Sequence, residues 1–344
     1  MTTARSYPQP TVREAWLDLV REEIIDPSLP IIDAHHHLWN ERLFRGIRWG
    51  QYLEGELSAD VSSGHNIVAT IFVQCGWLHR TEGPEDFQPV GETEAVTAFA
   101  SRLAGGRARV CRGIIGFADL RGRHLDHVLL AHYQASGGRF RGIRHSAAWD
   151  DAIKPQTSVI PPPDLLRDAQ FQKGVRRLGE LGFTYDGWQY HTQLKDLAKV
   201  ASQAPNTRIV VDHTGGPLGF GSYRGRRDEV ARDWTAGMKE LASHPNVYVK
   251  LGGLGMSVNG FDYHNDDLPP HSDQLASDWK PWIVSSIEIF GADRCMFESN
   301  FPYDKGMCSY VSVWNAFKKI TADASPSEKA LLFHDTAAKC YALP

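Results

Sequence analysis

The stretch IIDAHHHLWN, Ile31 to Asn40, sets three histidines in a row behind an aspartate, at the end of an apolar run. Side chains alternate along a strand, so His35 and His37 share one face and His36 takes the other. Counting back, Asp33 shares the face of His35 and His37. Two imidazoles side by side at a strand end suit a divalent metal, because imidazole ligates zinc, manganese, iron and nickel alike. One buried histidine bonding a loop carbonyl is ordinary; an H-x-H pair ending the first strand is harder to explain that way. Near the other end, CMFESNFPYDK (Cys295 to Lys305) repeats the design, with Glu298 and Asn300 two apart and Asp304 in the following loop. A buried Glu298 needs a partner, since an unpaired buried carboxylate is costly. A metal held with His35 and His37, a histidine, Arg144 or Lys250 can each supply one.

Other polar groups stand where strands should end: Arg144 after RFRGI, His191 after GWQY, and His213 in VVDHTGGP, with Asp212 assigned to the outer face. Asp304 is a candidate for the mouth of a pocket, or a loop carboxylate paired with Lys305. Trp188, Tyr190, Trp77 and Trp39 are either aromatic walls of that pocket or core packing.

The elements that must position these groups are short β-branched runs. They occur at 29–35, 67–75, 109–119, 139–146, 183–190, 208–214, 247–254 and 294–300. Helical periodicity appears between them at 91–105, 124–136, 170–182, 192–205 and 231–245, often stopped by Gly or Pro. Eight nearly all-apolar strands alternating with helices indicate a parallel sheet covered on both faces. Closure into a (β/α)8 TIM barrel fits the count. An open doubly wound sheet competes less well, because no GxGxxG opens a helix after the first strand. Two connections, 147–169 and 255–280, are too long for plain turns and belong over the C-terminal mouth, after strands four and seven. Residues 1–28 read as an N-terminal helical extension packed outside the barrel, and residues 29–344 as the barrel itself. The whole is a single domain, 1–344.

Composition narrows the function classes. A formal net charge of -4 offers no electrostatic case for nucleic acid or an anionic membrane surface. No apolar run reaches the roughly 20 residues that span a bilayer. The start of the chain lacks the apolar core of a signal peptide. Five cysteines, odd in number and never spaced CxxC, point to a reduced, cytoplasmic setting and away from a zinc–thiolate site.

Taken in order, IDAHHHLW, GIRH, VVDHTGGP, VYVKLGGL and GADRCMFESNFP resemble the amidohydrolase superfamily. The likeness is to its amidohydrolase-related branch, which holds the pyrone-dicarboxylate, sulfomuconolactone and sugar-acid lactonases. It runs from about residue 30 to the C-terminal AAKCYAL. It implies a (β/α)8 barrel with His35, His37, His191 and His213 at the family's histidine positions. At the position of Asn300 the family normally carries an aspartate that binds metal and shuttles the proton of the attacking water. An amide cannot act as a general base and is a weaker ligand. A divalent metal, zinc or manganese, would therefore rest on His35, His37 and Glu298. Arg144 resembles the branch's carboxylate clamp, a role that bidentate guanidinium pairing suits.

The expected function is a hydrolase that opens a cyclic ester, or a related C–O or C–N bond, of a small carboxylated or aromatic substrate. Glu298, His191, His213, Asn300 and Asp304 are its candidate catalytic groups, and Arg144, Trp188, Tyr190 and Trp77 its substrate contacts. Nonoxidative decarboxylation of an aromatic or unsaturated acid is the alternative reaction. A binding protein that has lost catalysis with the strand-eight aspartate is the third reading. The expected partner is a small-molecule substrate; a homo-oligomer and a monomer both stay open.

Overall fold

The computed structural model describes residues 6–40, 42–44, 47–106, 108–154 and 159–344. Eight parallel strands pair in chain order: β1 (Pro30–His36), β2 (Asn66–Val73), β3 (Arg109–Gly116), β4 (Phe140–Arg144), β5 (Thr184–Gly187), β6 (Arg208–Val211), β7 (Val247–Leu251) and β8 (Cys295–Phe297). The ring closes just past β8. Phe301 bridges His36 in parallel, the Asn300 N–H donates to the His35 carbonyl at 2.9 Å, and the His37 N–H donates to the Phe301 carbonyl at 2.7 Å. This is the (β/α)8 barrel the apolar runs predict.

Helix α1 (Glu14–Leu17) lies in the N-terminal segment, and a helix then follows each strand, with short further helices at Pro326–Ala330 and Thr336–Cys340 after the last. These are α2 (Glu54–Val61), α3 (Val90–Arg102), α4 (Leu125–Ala135), α5 (Ala169–Glu180), α6 (Leu194–Gln203), α7 (Arg227–Ala242), α8 (Ser272–Phe290) and α9 (Tyr310–Ile320). A short antiparallel hairpin, Arg42–Phe44 with Ile47–Trp49, interrupts the first connection. The loop after β7 is shorter than expected, because helix begins at Ser272 and runs through Pro281. Residues 155–158 of the long loop after β4 lie outside the described residues. Among those described, the N-terminal segment is helical only over Glu14–Leu17. Side chains anchor the rest: Glu22 accepts from the Ser272 N–H at 2.8 Å and from the Ser312 hydroxyl at 2.8 Å.

Two apolar layers explain why the strands read as unbroken hydrophobic runs. Ile32, Ala34, Ile71, Val73, Val210 and Met296 fill the barrel, joined from the C-terminal segment by Tyr341. Ile31, Phe72, Ile209, Val211, Val249 and Phe297 face the helices. Full burial contributes about 1.5–3 kcal/mol for each such side chain. The alternation corrects one expectation. Ile32 and Ala34 point inward, so Asp33 points outward, where its carboxylate accepts from Ser299 Oγ at 2.6 Å and Tyr310 Oη at 3.0 Å. The β1–β2 ladder shifts register between Asp33 and His36, which restarts the count and turns His35 inward.

All five cysteines are buried and unpaired. Among the described residues, no helix is long and apolar enough to cross a membrane.

Two histidines in the helix layer set an acid limit on stability. Burial pushes His132 and His145 down to about 4, well below their unfolded value. Between about 4 and about 6.5 the unfolded chain binds more protons than the native one, so stability rises with pH there and is lost as pH falls. Urea unfolding at about pH 7 and about pH 5 should show lower stability at the acid end, with net proton uptake on unfolding. Equal stability at both values would mean these histidines carry their charge inside the fold.

Candidate active site

The site is built where the strands stop and the chain turns. Beyond Val211, Asp212 continues the alternation inward from Val210, and His213 (φ 54°) and Thr214 (φ 53°) then adopt left-handed backbone. That turn brings His213 back over the barrel beside Asp212, which corrects the outward assignment of Asp212. On the opposite side Asn300 is also left-handed, at φ 56°. Such conformations cost of order 1–3 kcal/mol each and cluster at functional sites.

Glu298 ties two histidines together. Its Oε1 accepts from His213 Nδ1 at 2.8 Å and from the His213 backbone N–H at 3.0 Å. Its Oε2 lies 2.9 Å from His35 Nδ1. Burial alone would raise this carboxyl; the facing His213 and His35 outweigh it and hold it at about 2. Glu298 is therefore an anion throughout the neutral range; His213 Nδ1 donates to it, and the Arg144 guanidinium facing His35 Nε2 at 3.4 Å leaves the proton of that ring on Nδ1, toward Glu298. The Nε2 atoms of the two rings are left as acceptors.

Glycines make this approach possible. A Cβ on Gly252 would stand 2.3 Å from the Glu298 carbonyl oxygen, and one on Gly253 would stand 2.5 Å from His213 Nδ1. Gly253 also has φ +63°, which L side chains rarely adopt. The KLGGL run at the end of β7 is the surface on which His213 and Glu298 rest.

His37 completes the cluster's rim. Its Nδ1 lies 2.7 Å from the Val73 carbonyl, so it carries the proton, and its Nε2 faces His35 Nε2 at 3.3 Å. Burial, reinforced by Lys250 near His35 and Arg144 near His37, keeps both imidazoles well below their usual pKa. Two neutral imidazoles with lone pairs aimed at each other fit a divalent cation. At zinc–nitrogen lengths of about 2.0–2.1 Å, tetrahedral ligands lie about 3.3 Å apart. A second donor set, His35, His213 and Glu298, places one ligand atom each within 4.8 Å of one another. A His/His/Glu cluster able to hold a divalent metal is thus present.

Under the cluster lies a buried ionic trio of which the sequence showed only Lys250 as a candidate ion. Lys250 Nζ sits 2.8 Å from Asp186 Oδ2, 3.0 Å from Asp212 Oδ1 and 3.2 Å from His35 Nδ1. Tyr341 Oη donates to Asp186 at 2.6 Å. Lys250 pairs with these aspartates, and the partners of Glu298 are histidines.

The remaining candidates separate. Arg144 donates to the Gln74 carbonyl and sits 3.4 Å from His35 Nε2; its buried Nε has no partner among the described residues. It makes no salt bridge with Glu298. Asn300 Nδ2 donates to Asp304 Oδ1 at 2.8 Å, leaving Asn300 Oδ1 buried and unpartnered among the described residues. Asp304 also accepts from the Gly255 N–H at 2.9 Å, and burial raises its pKa well above the ordinary value. It backs Asn300, while Lys305 pairs with Asp60 at 3.0 Å. The Trp188 ring lies edge-on to His213 at 4.7 Å and to Tyr190 at 5.6 Å. Trp39 stacks on His37 at 6.0 Å. Trp77 sits farther out, its Nε1 donating to Asn40 at 3.2 Å. His191 stands apart: its Nδ1 accepts from the Leu218 N–H at 3.3 Å, and its ring meets Tyr223 at 5.4 Å.

A (β/α)8 barrel with histidines and a carboxylate gathered at the strand C-termini defines a hydrolase-like catalytic barrel. The amidohydrolase family model matches residues 32–343, and the chain belongs to that family. It is 31% identical over 335 residues to the uncharacterized protein y4mH of Sinorhizobium fredii, covering 91% of this chain and 99% of that protein. It is 28% identical over 326 residues to an L-fucono-1,5-lactonase of Burkholderia multivorans, covering 91% of this chain and 96% of that enzyme. A crystal structure of a zinc-bound amidohydrolase from Burkholderia multivorans superposes with a TM-score of 0.71 at 25% identity, covering 91% of this chain and 99% of that one.

Proposed function

We propose that this protein hydrolyses the lactone of a sugar acid or a comparable small cyclic ester. The observation that carries the reading is the His213–Glu298 pair, whose imidazole lies 4.6 Å from that of His35, the ring that Arg144 faces at 3.4 Å with no carboxylate partner among the described residues. The similarity to L-fucono-1,5-lactonases supports the substrate class.

In this reading His213 Nε2 takes a proton from water as the water oxygen bonds to the ring carbonyl carbon. Glu298 steadies the imidazolium through Nδ1. The carbonyl oxygen gains negative charge, which the Arg144 guanidinium stabilises. The ring C–O bond then breaks, its oxygen recovers the proton from His213, and the open hydroxy acid leaves. Trp188 and Trp39 wall the ring, and Asn300, held by Asp304, offers Oδ1 as an acceptor for a substrate hydroxyl. A divalent cation on His35 and His37 would supply Lewis-acid polarisation of the carbonyl.

Ring opening of aldonolactones, followed by acid release, tests the reading against carbon dioxide release from aromatic acids. Acid release alone supports it, carbon dioxide release alone replaces it with the decarboxylase, and silence in both favours a binding protein. Arg144→Lys keeps the charge but loses the fork. It should lower kcat/KM by roughly a hundredfold with the fold intact; unchanged kinetics would remove Arg144 from the reaction.

A further inference from the structure

The N-terminal segment crosses the C-terminal face of the barrel, over the site. The Pro10 carbonyl oxygen lies 2.1 Å from where a Cβ on Gly306 would stand, and Glu14 pairs with Lys305 at 3.1 Å, both in the loop after β8. Arg13 donates to the His264 carbonyl at 2.7 Å and Trp16 Nε1 to the Asp266 carbonyl at 3.1 Å, both in the loop after β7. Ahead of these anchors, Tyr7 is only 4% exposed. It packs into one apolar cluster with Ile153, Trp188, Tyr190, Leu218 and Met256, drawn from the loops after β4, β5, β6 and β7. Its hydroxyl is hydrogen-bonded to that of Tyr190, and its ring meets Phe220 edge-on at 6.1 Å.

Two short chains of contacts lead from Tyr7 and its segment to the histidines. Through Tyr190 and Trp188 it reaches His213, on which Trp188 lies edge-on at 4.7 Å. On the other side, Pro10 and Glu14 of the same segment sit on Gly306 and Lys305, in the loop that carries Tyr303, whose ring stands 5.5 Å from His37 and 5.6 Å from Trp39. We propose that Tyr7 is a specificity-determining residue of the active-site mouth, closing the span between the loops after β5 and β8 and limiting the size of substrate admitted. The placement explains why a tyrosine is buried in a segment with almost no secondary structure of its own. The inference rests on the His35–His213–Glu298 cluster being the active site, and it does not require a lactone as substrate.

Hydroxyl-radical footprinting of the full-length protein, read by mass spectrometry, tests it. Tyr7→Ala should raise oxidation of Trp188 roughly tenfold, the change that follows when a local closed state loses about 1.4 kcal/mol. Trp234 and Trp314, buried in the helix layer, should keep their wild-type rates. Tyr7→Phe retains the ring and should leave Trp188 protected, which also guards against misfolding of the alanine variant. Unchanged Trp188 oxidation in Tyr7→Ala overturns the proposal. So does an equal rise at all three tryptophans, because that marks general loosening. If lactones turn over, Tyr7→Ala should lower KM for bulky lactones relative to small ones with little change in kcat. A lactone screen without turnover counts against the substrate reading and leaves the footprint result to judge Tyr7.

Discussion

Replacing Glu298 with glutamine is expected to lower turnover by roughly 10- to 100-fold, and metal affinity by a comparable factor, with the protein still folded. The carboxylate accepts from His213 Nδ1 and its backbone N–H through one oxygen and faces His35 Nδ1 with the other. A glutamine has one acceptor oxygen, so its NH2 must face an imidazole N–H. One histidine then has to change tautomer or swing away. Because Glu298 is held at about 2, the loss should be nearly constant from weakly acid to neutral pH. Metal content and turnover measured on the same preparation distinguish two roles. Metal lost outright makes Glu298 a ligand, while metal weakened together with turnover makes it the carboxylate that orients the histidines. Full metal with full rate would count against both.

Lys250→Met is expected to cost about 3–5 kcal/mol of stability. The ammonium lies between Asp186 and Asp212, and all three side chains are buried from solvent. Removing it leaves two carboxylates with a common loss, of which, among the described residues, only Asp186 keeps other donors, from Thr184 Oγ1 at 3.0 Å and Tyr341 Oη at 2.6 Å. Burial already raises Asp186, so it should take up a proton in the variant. Neutralising all three together, as Asp186→Asn, Lys250→Met and Asp212→Asn, should recover part of the loss, because no buried charge is then left alone. Denaturant unfolding of the two variants makes the comparison. A loss below about 1 kcal/mol in Lys250→Met would place the trio in contact with water.

The barrel was legible because strands covered on both faces are written as nearly continuous apolar residues, and the chain carries eight such runs. His35 and His37 were legible because a period of two places them on one face. Glu298 followed from the same rule. What escaped did so where that period breaks. The register shift after Asp33 and the left-handed turn at His213 each reverse a face, so Asp33 and Asp212 were assigned to the wrong sides. Asp186, inside FTYDGWQY, reads as an interruption of a strand, and only the fold shows that it meets a lysine from two strands away. Tyr7 sits between polar residues and prolines with no periodicity to mark it, and its burial depends wholly on loops distant in sequence.

The glycines after β7 bear on any attempt to rebuild this centre elsewhere. A designer who transplanted His35, His37, His213 and Glu298 onto another eight-stranded scaffold would carry every functional group and still miss the mould. Where the host has side chains in place of Gly252 and Gly253, the His213 ring and the Glu298 backbone meet a Cβ at 2.5 Å or less, and the imidazole is displaced before any chemistry begins. The minimal portable unit is therefore the four side chains together with the empty space opposite them.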